Sequence, residues 1–382
     1  MTVAAKGIYE ELGVRRVINA WGTKTVLGGS RMPPAVVEAM ADAARSFVTL
    51  RELQERAGAR IAELVGVEAA MVSSGAAGGI LLAVAACIAG TDPAKVRRLP
   101  RVEGKSEVVV GREEPNYIYQ AAEAGGAQLV HVGAPDRLDA DDVAAAITDR
   151  TAAVFLVVYM LDARYGRGAA TATIPSVARI ARARGVPLIV DAAGELPPTS
   201  NFRRFLDEGA DLVVFSGGKA LRGPQASGVV VGRRDLIAAC HANNNPHSAI
   251  GRPCKVGKEE IAGLVRAVQL YVARDEAAEM ASWQERMRAL AAGLAGLPGV
   301  ETEVAPQREH NRPAIVPGCF VTVDEARIGA SKAALVERLA ASEPPIAVGT
   351  FPRGLLLNPI ELDPSEDALV AERIRAVLSP AR

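Results

Sequence analysis

The segment Asp211–Gly223, DLVVFSGGKALRG, holds a lysine in an arrangement with chemical meaning. An apolar run of strand character delivers Ser216, Gly217 and Gly218 to a turn, and Lys219 follows at once, where a strand of an open α/β sheet would end on a crevice. A phosphate-binding P-loop is excluded. Ala220 follows Gly218-Lys219 where the metal-binding Ser or Thr belongs, and Val213 stands where the leading glycine should be. A second apolar run, PLIVDAA, places Asp191 at another strand end, one complete helix-plus-strand crossover before Lys219. Alone, such an aspartate caps the next helix. On the same sheet edge as Lys219 it completes the pair that pyridoxal phosphate chemistry needs: an amine to form a Schiff base, and a carboxylate that keeps the pyridine nitrogen protonated so that the ring accepts electrons. A third segment, MVSSGAAGG, runs a strand into small residues and then a helix. Backbone N–H groups at such a start bind anions, and Ser74, Gly75, Ala76 and Ala77 are small enough to admit a phosphate. The segment lacks GxGxxG, and no acidic residue ends a second strand after it, so dinucleotide binding has little support. A phosphate cradle, a ring-nitrogen partner and a Schiff-base lysine thus follow one another along the chain.

The elements that must position these residues are legible. Seven runs have strand character: Ala70–Ser73, Glu107–Gly111, Gln128–Val132, Ala152–Val158, Pro187–Asp191, Asp211–Ser216 and Ser227–Gly232. Several are apolar at consecutive positions, as strands buried on both faces require. Helix-length segments separate them, such as Ser176–Arg184, ended by Gly185. The rhythm predicts an α/β fold with a seven-stranded, mainly parallel sheet. From Ile261 to Leu297 apolar residues recur at helical spacing, predicting one long helix or two abutting ones. Beyond it, strand-like Val300–Val304, Cys319–Val323, Ile346–Val348 and Leu355–Leu357, with helical Ala330–Ala341 and Ser365–Leu378, describe a small α+β unit. The expected organisation is an N-terminal arm (1–18), a large cofactor-binding domain (19–252), a helical connection (253–297) and a small C-terminal domain (298–382).

Composition bounds the alternatives. The 382 residues are 49% hydrophobic and 23% charged, ordinary globular values that exclude disorder. Lys+Arg and Asp+Glu both number 44, so no net positive field gathers nucleic acid or anionic membrane. The four cysteines form no CxxC and have no histidine at metal-finger spacing, so no metal is expected. The N-terminus has no apolar signal core, and no run approaches the length of a membrane span. A cytoplasmic protein with reduced thiols is expected.

The residues so assembled resemble the fold-type I pyridoxal phosphate enzymes, specifically the family of bacterial L-seryl-tRNA(Sec) selenium transferase (selenocysteine synthase), to which D-glucosaminate-6-phosphate ammonia-lyase is related. The resemblance covers INAWGTKTVLGGSRMPP, SFVTLRELQERAGARIAELVGVEAAMVSSGAA, GTDPAKVRRLP, VPLIVDAAGELPP, FSGGKALRGPQASGVVVGR and GRPCKVGKEEI, most of the chain. It implies that Lys219 binds the cofactor covalently, that Asp191 contacts the pyridine nitrogen, and that Ser74, Gly75, Ala76 and Ala77 with Ser216 hold the phosphate. Arg222 and Gln225 would lie beside the lysine. Sites of this fold type are built across subunit interfaces, so a homodimer or larger homo-oligomer is expected.

Two departures matter. Relatives carry a histidine in the stretch that here reads GREEPNYIYQ, where a side chain covers the cofactor ring. Glu114 stands in its place, and a carboxylate stacks poorly on an aromatic ring, which leaves Tyr117 or Asn116 to substitute or the reaction to differ. Relatives also have an arginine after the strand that here reads PPIAVG. Gly349 stands there, so Arg353 or Arg31 must grip a substrate carboxylate if anything does. The chain has no room for the extra N-terminal tRNA-binding domain of selenocysteine synthase, and selenium transfer onto tRNA is disfavoured.

The leading expectation is α,β-elimination on an amino acid or amino-sugar acid, with racemisation or β-replacement as alternatives and a silent cofactor-binding homologue as the non-catalytic one. His241 and His247 flank a polar loop, HANNNPH, with two readings, a reach into the active site of a partner subunit or, as preferred, a solvated loop; His131 and His310 show no ligand spacing. Tyr159 follows a strand near the expected cofactor edge, and Trp21, Gly22, Gly28 and Gly29 belong to a stretch that lines the substrate entrance in relatives.

Overall fold

The computed structural model describes residues 7–101, 103–113, 116–163, 172–307 and 315–379. Its strands are β1 (Ile18–Ala20), β2 (Ala69–Ser73), β3 (Glu107–Gly111), β4 (Gln128–Val132), β5 (Thr151–Val157), β6 (Leu188–Asp191), β7 (Leu212–Ser216), β8 (Gly228–Gly232), β9 (Val300–Pro306), β10 (Pro317–Val323), β11 (Ile346–Phe351) and β12 (Gly354–Leu357). They form two sheets in two compact units.

Ser30–Arg274 builds the larger unit around a seven-stranded sheet of order β2-β8-β7-β6-β5-β3-β4. Only β8 runs against its neighbours, so the sheet is mainly parallel, as the apolar runs predict. β2, β5, β6 and β8 are buried at every position, whereas the edge strand β4 is partly exposed throughout. The helix Gly75–Ala89 lies on the sheet and is buried from Gly78 through Ala86. A Cβ on Gly79 would stand 2.8 Å from Val214 Cγ1 and 3.0 Å from Val230 Cγ2. The missing side chain therefore brings the helix down onto β7 and β8.

A second close approach lies at the sheet edge. A Cβ on Gly228 would stand 2.6 Å from the backbone carbon and oxygen of Gly75, which cannot rotate away. Gly228→Ala is expected to destabilise the protein by about 1–3 kcal/mol, as overpacking does. It would also push the helix start away from the sheet. A lower midpoint in thermal melts together with weaker cofactor retention on dialysis would be the observed result; an unchanged melting curve would count against the close packing.

The smaller unit contains residues up to Gly29, Asp275–Gln307 and the C-terminal stretch, on a five-stranded sheet of order β1-β11-β12-β10-β9. β1 pairs parallel with β11 through Ile18↔Ile346, and the other pairings are antiparallel. Sequence reading began the large domain at residue 19, but the structure groups Ile18–Ala20 and the following residues to Gly29 with the C-terminal sheet. The three-residue β1 is too short to be read by alternation. The apolar stretch from Ile261 resolves into two helices, Lys258–Ala273 and Glu276–Leu294. Asp275 starts the second by accepting from Ala278 N, and the boundary between units falls at the same place. Arg286 ties that helix to Asp367 through two 2.8 Å hydrogen bonds. Among the described residues, no helix is long and apolar enough to cross a membrane.

Candidate active site

Because β8 opposes the other six strands, its first residue and the C-terminal ends of β2, β6 and β7 share one edge of the larger sheet. Ser73 pairs with Gly228, and Gly228 with Ser216, so the three form a row across the edge. At about 4.8 Å between strands, Ser73 and Ser216 lie about 10 Å apart. Asp191, in register with Val214, ends the next strand.

Asp191 is 5% exposed. Its Oδ1 accepts from Ala193 N at 2.9 Å. Burial pushes its carboxyl above the usual range, while the Ala193 N–H and the charge of Lys219 offset part of the rise. A carboxylate so placed gains from any cation brought beside it.

Lys219 sits in the turn that follows β7. Gly217 N donates to Ser227 O at 2.8 Å, Arg222 N to Lys219 O at 2.8 Å, and Gly223 N to Gly217 O at 2.9 Å. A Cβ on Gly218 would lie 2.5 Å from Gln225 Cα, so the turn folds tightly against the Gln225 backbone. Arg222 has φ 54°, the one non-glycine residue with positive φ among those described, and its Nε donates to Arg31 O at 3.1 Å. Such strain costs about 1–3 kcal/mol and gathers at functional sites. Arg222 and Gln225 thus flank the Lys219 turn, as expected from the sequence. Lys219 is partly exposed, and the protein packed around it lowers the pKa of its ammonium, against the pull of Asp191 and Glu195.

The start of the helix Gly75–Ala89 is open. Ser74, Gly75 and Ala76 are half-buried, Ala77 is exposed, and Ser74 as N-cap makes no side-chain capping bond. A helix start that Ser74 does not cap is of the kind that suits an anion. Gly75 has φ 69°, and a Cβ there would meet nothing within 4 Å. The donor set fits pyridoxal 5′-phosphate: an uncapped helix start for the phosphate, a buried carboxylate that wants a cation, and an amine of lowered basicity.

Other expectations lie elsewhere. Glu114 falls outside the described residues, as does His310. Asn116 caps the helix Tyr117–Ala124 by accepting from Ile118 N and Tyr119 N, both at 3.0 Å. Tyr117 is 72% exposed, and both packing and the charge of Asp191 raise its pKa. Of the two residues left to cover the ring, Tyr117 is the one whose side chain does not cap the helix. Tyr159 packs half-buried against the large core. Within the smaller unit Arg353 is exposed at the tip of the β11–β12 turn. A Cβ on Gly349 would stand 3.1 Å from Trp21 Cδ1, so the indole covers that position. The loop read as solvated is so only in part: Asn243, Asn244 and Asn245 are buried, whereas Pro246, His247 and Ser248 are exposed. Asn243 Nδ2 donates to Gly90 O and Ala239 O, and Arg252 Nη1 donates to Asn245 Oδ1. A buried polar run tied down by such bonds is indistinguishable from a surface loop by composition alone. Glu195, in the quoted VDAAGELPP, was given no role from the sequence, yet it is buried and acts on Lys219.

A lysine, a buried carboxylate and an open helix start on the C-terminal edge of a mainly parallel seven-stranded sheet define a pyridoxal phosphate-dependent enzyme of fold type I. The profile of the L-seryl-tRNA selenium transferase family matches residues 17–290, and the chain belongs to that family. It is 40% identical over 362 residues to a 5′-C-glycyluridine monooxygenase-decarboxylase of a Streptomyces species, covering 93% of this chain and 87% of that one. Over 269 residues it is 37% identical to D-glucosaminate-6-phosphate ammonia lyase of Salmonella typhimurium, covering 69% and 70% respectively. A solved D-glucosaminate-6-phosphate ammonia-lyase superposes with a TM-score of 0.83 at 31% identity, over 98% of this chain and 99% of the other. A serine palmitoyltransferase with TM-score 0.57 and 16% identity shares the fold. The two ammonia-lyase matches support the lyase class.

Proposed function

We propose that the chain catalyses α,β-elimination on an amino acid or amino-sugar acid carrying a hydroxyl at Cβ, releasing a 2-keto acid and ammonia. The observation that carries this reading is the placement of Lys219 and Asp191 on one sheet edge beside an uncapped helix start, in a chain akin to an ammonia lyase. Bound pyridoxal 5′-phosphate supplies an electron sink for charge developing at the substrate Cα. The chain does the rest. The N–H groups from Ser74 to Ala77, with Ser216, hold the phosphate. Asp191 keeps a proton on the pyridine nitrogen. The Lys219 amine, its basicity lowered by packing, takes the Cα proton. The Cβ hydroxyl departs as water, and water returns when the released enamine hydrolyses, so the net products are keto acid and ammonia. Arg222, Gln225, Arg353, Arg31 and Glu114 are the residues proposed to meet the substrate, and Tyr117 the one to cover the ring.

The test is a panel of D- and L-hydroxy amino acids and amino-sugar acids, with keto acid and ammonia measured. No product and no spectral change with any amino compound would favour a silent homologue, and exchange of the Cα proton without ammonia would favour racemisation. The 40% identity to a monooxygenase-decarboxylase favours a second reading, oxidative decarboxylation at the same Cα. Oxygen uptake with carbon dioxide release, in place of ammonia and keto acid, would establish it.

The protein is proposed to be a cytoplasmic homodimer. The described cysteines are all free, and burial pushes the Cys87 and Cys319 thiols up to about 12, so neither serves as a nucleophile. Phe47 is fully exposed and Val48 beside it half so, between the helices Pro34–Ala44 and Leu50–Val65, and Val37 on the first helix is exposed as well. Apolar surface of this kind marks association sites. Phe47→Asp is expected to raise the dimer dissociation constant at least about tenfold, the worth of one buried aromatic anchor. Sedimentation at micromolar protein reads this directly, and an unchanged dimer would remove Phe47 from the interface.

A further inference from the structure

β2 ends the larger sheet, with β8 as its one strand neighbour among the described residues, so its outer edge has no strand to pair with. The helix Leu50–Val65 takes that place. A Cβ on Gly58 would run into the carbonyl oxygen of Ala70, so helix and strand backbones touch there. One helical turn earlier, Gln54 Nε2 donates to Val72 O at 3.1 Å. Four helix residues rise about 6 Å and two strand residues about 6.6 Å. The two anchors therefore keep step, with the helix running against the strand. Gln54 falls at the end of β2 that leads into Ser74.

Gln54 is 2% exposed, and its Oε1 has no hydrogen-bond partner. A buried amide with one end unmatched costs stability that a hydrocarbon side chain of similar volume would not. What the amide gives the fold is its bond to Val72 O. That carbonyl belongs to the peptide leading into Ser73, which is itself wholly buried and donates its hydroxyl to Gly75 O at 2.8 Å. Gly75 opens the helix whose start fits the phosphate. A continuous relay thus joins Gln54, Val72 O, Ser73 and Gly75, while Gly228 abuts the Gly75 carbonyl from the neighbouring strand.

We infer that Gln54 is a positioning residue of the cofactor site. Standing in for the missing strand neighbour at Val72, its side-chain amide fixes the direction in which β2 delivers Ser74–Ala77. The inference rests on the assignment of Ser74–Ala77 to the phosphate made under the proposed function, and Gln54 acts on them through the backbone alone. Hydrogen bonds from backbone N–H groups are directional. A small rotation of the Val72–Ser73 peptide would misalign them, and the loss would fall on ligands that carry a phosphate.

Full-length protein stripped of cofactor is titrated with pyridoxal 5′-phosphate and, separately, with pyridoxal, which has the same ring and aldehyde but no phosphate. The long-wavelength absorption band reports both, and thermal melts establish that each variant is folded. Wild type is expected to bind the phosphorylated form at least about a hundredfold more tightly, the worth of two or so charge-assisted hydrogen bonds. Gln54→Met keeps the volume and removes the amide. It is expected to weaken pyridoxal 5′-phosphate at least about fivefold and pyridoxal less than about twofold. Damage to packing alone would weaken the two equally. Gln54→Asn, whose amide stops one methylene short of Val72 O, should show the same selective loss and serves as the test should Gln54→Met fail to fold. Equal weakening of both ligands, or of neither, in a folded variant would overturn the inference. Wild type that binds the two aldehydes equally would instead sink the phosphate assignment of Ser74–Ala77, so the two failures are separable.

Discussion

Lys219→Ala is expected to abolish the long-wavelength absorption of the loaded protein and to reduce turnover by at least about 10³-fold. The estimate follows from the two tasks that one amine performs. As general base at Cα it contributes about 10²–10⁴, and as the covalent attachment it also fixes the cofactor in place. Its position in a tight turn, held by the Arg222 N and Gly223 N hydrogen bonds, is set by backbone, so alanine should leave the turn folded. Lys219→Arg is the useful companion. It keeps a positive charge facing Asp191 and Glu195 but offers no nucleophilic amine, so it should be as inactive as alanine while melting closer to wild type. The measurement is borohydride reduction followed by peptide mass spectrometry, which should find the cofactor's mass on residue 219 in wild type and in neither variant. An active variant with unmodified residue 219 would remove this lysine from the chemistry.

The strands that carry the site could be read from the chain to within a residue or so, for a physical reason. β5, β6 and β8 are buried on both faces, so their apolar runs are continuous, and the turn residues at their ends are small. Lys219 and Asp191 were legible because each ends such a run. Glu195 was not, because it lies in a loop where no period constrains it, and its burial shows only in three dimensions. The grouping of Ile18–Ala20 with β11 was illegible for another reason: pairing between residues so distant in sequence leaves no local pattern. At Gly349 the structure adds what the chain does not show: a Cβ there would stand 3.0 Å from Leu356 O and 3.1 Å from Trp21 Cδ1, a tight fit for any side chain.

Asp191→Asn separates what the carboxylate does for the empty protein from what it does for the cofactor, and the two effects have opposite signs. Burial raises the folded-state pKa of Asp191 above its ordinary 3.8, more than Ala193 N–H and Lys219 together lower it. Between 3.8 and that raised value the folded chain holds more protons than the unfolded one, so this residue's contribution to stability is present in full below 3.8 and is lost as pH rises through the window. At neutral pH the ionised carboxylate therefore opposes folding of the cofactor-free chain. The amide has the same shape and carries no charge. Cofactor-free Asp191→Asn should melt higher than wild type near pH 7, and the difference should shrink as pH falls toward 4. The loaded enzyme should behave in the reverse sense. Without the carboxylate the pyridine nitrogen loses its proposed partner, and a buried charge deprived of its partner costs about 3–5 kcal/mol, which corresponds to a loss of about 10²–10⁴ in kcat. Thermal melts of both forms across pH, alongside turnover, test the two halves together. A cofactor-free variant less stable than wild type at pH 7 would mean that Asp191 is held by its neighbours as a structural ion, and its assignment to the pyridine nitrogen would fall.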